Sequence, residues 1–164
     1  MIAYRWNGRR ISLDLPDATK KEVDFLDTSF FTAIPGRRLP SPHEIRSLSK
    51  NDKSAQPKPV IIEDLDLIVK FGPSITAVKA LNLWMIRHVF HEKVPVPEVF
   101  GWRIDDQGFG FIYMELIRGP TIHDCYDSLT DGQKQEICDK LRGVLDTLRQ
   151  PRQDPADRFV GMAR

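Results

Sequence analysis

The sequence predicts an α+β fold: a small antiparallel sheet carrying one packed helix, followed by a helical region. Three observations predict it. Two short β-branched runs, Val60 to Ile62 and Leu67 to Phe71, flank the polar "EDLD" and suit an antiparallel hairpin. A helical pattern follows Gly72-Pro73, with Val78, Leu81, Met85 and Val89 on one stripe. Beyond it "GWRIDDQGFGFIYMEL" alternates into a second hairpin turning at "DDQG".

The 164 residues suit one domain, which would bury roughly 70% of the surface of its unfolded chain. A hydrophobic content of 41% with 29% charged residues excludes neither an enzyme nor a binding module. The net charge of +1 gives no general drive toward nucleic acid or anionic lipid, so neither is expected as a partner. The basic cluster "YRWNGRR" reads as solvated surface. No apolar segment is long enough to span a membrane, and arginines stand where a signal peptide needs its apolar stretch, so the expected location is cytoplasmic. Cys125 and Cys138 form no CxxC pair, and a lone His123-x-Cys125 is read as structural, with no metal assigned.

Residues 1–38 are poorly patterned. Within them "PDATKKEVDFLDTSFF" predicts a short helix, with Val23, Leu26 and Phe30 on one side and Thr19 and Glu22 at capping-box spacing. From Gly36 to Pro59 the composition is that of a linker around one helical turn at His43 to Leu48, and it is the segment expected to be most mobile. Ser74 or Thr76 can cap the next helix, which runs to about Phe90 and is apolar over a wide enough arc to press against a sheet. The prolines of "VPVPEVFGWRI" hold the chain extended and favour entry into an edge strand. The "GFG" in the second hairpin lacks a third glycine and a following helix, so it reads as a turn rather than a phosphate loop. Last, Thr130 and Gln133 stand at capping-box spacing before an amphipathic helix whose face carries Ile137, Leu141, Val144, Leu145 and Leu148.

The stretches "LPSPHEIR", "LIVKFGPSI", "VPVPEVFGW", "GFIYMELIRGPTI" and "LRGVLDTLR", in this order, resemble the aminoglycoside phosphotransferase-like branch of the protein-kinase-like fold. The likeness is greatest to its fungal-type members and runs from about Leu39 to the last residue. It implies an amino-terminal extension at 1–38, a kinase-like N-lobe at 39–117, and at 118–164 the hinge exit and first helix of an incomplete C-lobe. It further implies that Lys70 reaches the α- and β-phosphates of ATP and that Met114 is the gatekeeper. In the hinge, the Glu115 carbonyl would accept from the adenine amino group and the Ile117 amide would donate to the ring. Read without the family order, Lys70 is a strand-end lysine in solvent and "YMELIRG" a strand leaving a sheet.

Two departures qualify what the resemblance implies. The family's helix carries a glutamate that pairs with the strand lysine, and the matching position here is Lys79, with no Asp or Glu from Lys70 through His91. Two cations in one pocket repel unless an anion lies between them. Either a triphosphate does so, or the lysines turn outward and the site is dead. Neither an HGDxxxxN-type loop nor its later Asp is present, so Mg²⁺ has no ligands, and residues 57–71 contain no glycine for a phosphate loop. The implied function is a truncated phosphotransferase-like protein with vestigial ATP binding, inactive alone. A different class is also open: a non-enzymatic interaction module, using the helix at 130–150 to bind a protein partner or a second copy of itself.

Overall fold

The computed structural model of the protein describes residues 2–6, 8–49, 59–90 and 93–153, and residues 50–58 of the expected linker lie outside them. The chain is a mixed α/β protein with a five-stranded antiparallel sheet, and both expected hairpins are in it. β4 (Val60–Ile62) and β5 (Leu67–Gly72) pair with Val60 opposite Val69. The connecting turn over Glu63–Leu65 ends at Asp66, whose φ of 50° is a left-handed conformation that Asp adopts more readily than branched residues. β6 (Val99–Ile104) and β7 (Gly110–Glu115) form the second hairpin. Asp105 builds its turn, accepting from the amides of Gln107 and Phe109 at 3.0 and 2.9 Å.

With β3 (Glu22–Asp24) the order of the sheet is β3-β6-β7-β5-β4, so β6 is not the edge strand that the prolines suggest. β3 lies outside it, in the segment where the sequence predicts a helix. That helix does not form for two reasons. The Asp17 carboxylate takes both the amide and the hydroxyl of Thr19, at 2.9 and 2.6 Å, so no cap is made there. Glu22 and Asp24 instead bind the buried guanidinium of Arg103 on β6, at 2.8 and 2.6 Å. Arg103 also donates to the carbonyls of Val23 and Trp102, at 3.1 and 2.8 Å, which ties β3 to the sheet. Gly101 completes the fit, because a Cβ there would collide with the Val23 carbonyl. Leu26, expected on the buried side of that helix, is exposed, while Phe30 of α1 (Ser29–Ala33) is buried.

Each face of the sheet has its own apolar cluster. On one face α3 (Ala77–Phe90) packs as expected, setting Ala77, Ala80 and Leu81 against Val99, Trp102, Ile112 and Met114. The other face gathers Leu67, Val69, Phe71, Phe111 and Tyr113 with Phe30, Leu39 and Ile45. Ile45 belongs to α2 (Pro42–Leu48), which Ser41 and Glu44 open with a capping box. The turn expected inside a linker is therefore a core element. Arg46 fastens it, lying over the Phe109 ring at 4.4 Å and binding Asp105. Burial alone would raise the Asp105 carboxyl, but Arg46 and the turn amides outweigh it and hold the group below its usual range.

Residues 16–88 and 96–117 make up the compact unit that holds this sheet, and residues 1–15, 89–95 and 118–164 make up a second. In the second unit β1 (Ile2–Trp6) and β2 (Arg9–Leu13) pair around Gly8, which has φ 74°. β1 also pairs with β8 (Arg152–Gln153). Arg5 and Arg10 are exposed, in keeping with a solvated cluster. The short α4 (Ile122–Cys125) and the longer α5 (Asp131–Leu148) each start at a capping box, Thr121 with Asp124 and Thr130 with Gln133. Among the described residues no helix is long and apolar enough to cross a membrane.

Tyr113 is fully buried, and its hydroxyl has no hydrogen-bond partner among the described residues. Burial pushes the phenol well above its usual range. A group with a raised folded-state pKa contributes stability that is present below the unfolded value, about 10 for tyrosine, and is lost as pH rises. An unsatisfied buried hydroxyl costs about 1–3 kcal/mol. Tyr113→Phe is expected to raise the unfolding free energy by roughly that amount and to remove this alkaline loss, both read from urea unfolding across pH.

Candidate functional site

The site follows from the pairing of β5 with β7. Side chains alternate between faces along a strand, and residues directly opposite one another share a face. Leu67, Val69 and Phe71 enter the cluster beneath α1 and α2, so Ile68 and Lys70 belong to the α3 face. Lys70 stands opposite Ile112 and Ile68 opposite Met114. Lys70 and Met114 therefore lie on one face, separated by two residues of strand rise, about 7 Å. Met114 is buried and Lys70 is exposed.

Lys70 has no ion-pair partner among the described residues. α3 supplies no carboxylate, as its sequence requires. Lys79 is exposed and donates to the Ser74 carbonyl at 2.7 Å. Of the two cations, one is thus taken up by backbone and the other is available to an anion.

The end of β7 presents the second half of the site. The Leu116 amide donates to the Asp66 carbonyl at 3.0 Å, and the Glu115 amide to the Glu98 carbonyl at 2.8 Å. In a regular antiparallel ladder the Glu98 amide would return a bond to the Glu115 carbonyl. Here it donates to the Glu115 side chain instead, at 3.1 Å. The Glu115 carbonyl is left without a backbone donor among the described residues, and the Ile117 amide without an acceptor. Two residues apart on an extended chain, an open acceptor and an open donor face the same way. Ile117 itself is 63% exposed.

The residues Lys70, Met114, Glu115 and Ile117 are thus borne by two neighbouring strands and the exit of one of them. The carboxylate of Glu115 was not legible as a participant. Its capture of the Glu98 amide joins residues seventeen positions apart, and residue spacing carries no signal of that contact. Glu98 is fixed in turn, accepting from the Ser29 amide at 3.3 Å and facing Arg87 at 3.8 Å. Among the described residues no group of three His, Cys, Asp or Glu side chains could hold a metal ion. Cys125 donates weakly to the Ile122 carbonyl at 3.8 Å, and His123 is exposed.

No family model, curated protein or solved structure matches the chain.

The open carbonyl depends on one carboxylate. In Glu115→Ala the Glu98 amide is expected to move onto the backbone carbonyl of residue 115. A trans-hydrogen-bond coupling between those two groups, absent from the parent protein and present in the variant, reports the change.

Proposed function

We propose that the sheet-bearing unit is a kinase-like nucleotide-binding lobe of the aminoglycoside phosphotransferase type. It would bind an adenine nucleotide without transferring its phosphoryl group. The observation that carries this reading is the unpaired Lys70 on the same face as Met114, beside a strand exit with an open carbonyl and an open amide. The Glu115 carbonyl would accept from the adenine amino group and the Ile117 amide would donate to the ring, while the base lies against apolar side chains. The ammonium of Lys70 would meet the phosphates. Binding is all that is assigned here, since the sequence carries no HGDxxxxN-type loop of the kind that serves an acceptor hydroxyl.

A second reading, a module that works by protein contact, is favoured by one feature. α5 carries Leu141 and Leu145 about half exposed, at 51% and 50%.

Titration calorimetry with ATP and ADP tests the first reading. Lys70→Ala is expected to weaken binding by roughly 1.5–3 kcal/mol, the worth of a hydrogen bond to a charged group. Equal affinity in the parent and Lys70→Ala would overturn the role of the lysine. No binding by the parent would overturn the reading itself.

A further inference from the structure

α5 has no fully buried residue, although its sequence carries a continuous apolar stripe. Leu141 and Leu145 are about half exposed, and Ile137, Val144 and Leu148 are only partly covered. In the preceding turn the Tyr126 ring, also about half exposed, sits beneath the Lys134 ammonium at 4.7 Å and extends the patch toward α4. The spacing Ile137, Leu141, Val144, Leu148 alternates four and three residues, the repeat of a helix that pairs with another helix.

The charges say which helix fits. The first half of α5 holds Asp131, Glu136 and Asp139 against Lys134 and is net acidic. The second half, with the C-cap, holds Lys140, Arg142 and Arg149 against Asp146 and is net basic. Laid parallel, two copies would set like charge on like. Laid antiparallel, each acidic half meets a basic one, and a two-fold axis makes both contacts at once. Asp131 and Arg149 are eighteen positions apart, five turns of 3.6 residues, so they project on the same flank at opposite ends. Among the described residues the Arg149 guanidinium makes an exposed contact with Asp146 alone, at 3.6 Å, and can turn to another carboxylate.

We propose that α5 is a self-association surface on which a second copy of this chain docks antiparallel about a two-fold axis near Leu141. Leu141 then meets its own copy and Leu145 meets Ile137. Asp131 reaches Arg149 of the second copy, twice by symmetry. The seam is short and lies at the small end of interface sizes, so association is weak and concentration-dependent, in the micromolar range. It is independent of the nucleotide site.

Sedimentation equilibrium over a micromolar concentration series tests it. The parent is expected to form a dimer, and Leu141→Asp, at an exposed position, to be monomeric with an unchanged far-UV spectrum. Asp131→Arg and Arg149→Asp should each weaken the dimer about fivefold, since each turns two surface attractions into repulsions. Mixing the two single variants should restore association as a heterodimer, because each chain then carries one sign of charge at both ends. A parent that stays monomeric overturns the proposal. So does a dimer indifferent to Leu141→Asp, or single variants whose mixture is no tighter than either alone.

Discussion

The register of β5 against β7 is the constraint on which the sheet-bearing unit depends. Because side chains alternate with a period of two, a slip of one residue would carry every side chain of β5 to the opposite face. Leu67, Val69 and Phe71 would leave their cluster, and Lys70 would be driven into it. Burial of three large apolar groups on one side and the cost of burying an unpaired ammonium on the other favour the same register. Both ends of the pairing reinforce it. Gly72 stands opposite Gly110, over which the Ile75 carbonyl passes so closely that no Cβ would fit. At the other end Leu116 donates to Asp66, whose left-handed backbone turns the chain into β5.

From that register the site geometry follows without further assumption. The same alternation that sends Val69 into one core puts Ile68 and Lys70 on the opposite face, across from Met114 and Ile112. α3 is acid-free, so it cannot neutralise Lys70, and the nearby Lys79 is satisfied locally by Ser74. At the end of β7 the side chain of Glu115 takes the donor that its own carbonyl would otherwise have taken. The apolar clusters hold the sheet, while the polar groups left over lie at its rim.

Much of this was legible wherever one periodicity ran long enough to be read. The runs at 60–62 and 67–71, the alternation into β7 and the Thr130 capping box of α5 are local patterns, and each appears as the element expected. What escaped was held by distant partners. β3 is three residues long and exists because Arg103, eighty positions away, binds Glu22 and Asp24. α2 reads as linker because polar residues and prolines surround it, yet its single apolar anchor, Ile45, is wholly buried. The β1–β2 hairpin had a local signal in Asn-Gly between strand-forming residues, and its short basic strands obscured it. Lys70, Met114, Glu115 and Ile117 were candidates from the order of the chain alone, whereas the bond from the Glu98 amide to the Glu115 carboxylate is a contact that residue spacing does not carry.

The register itself can be measured. The bond from Leu116 to Asp66 makes that pair hydrogen-bonded, so Leu67 with Glu115, Val69 with Tyr113 and Phe71 with Phe111 are the close, non-hydrogen-bonded pairs whose α-protons nearly touch. Strong Hα–Hα nuclear Overhauser effects are expected within those three pairs. Effects shifted by one residue, joining Lys70 to Tyr113 or Ile68 to Glu115, would put Lys70 on the other face and contradict the account.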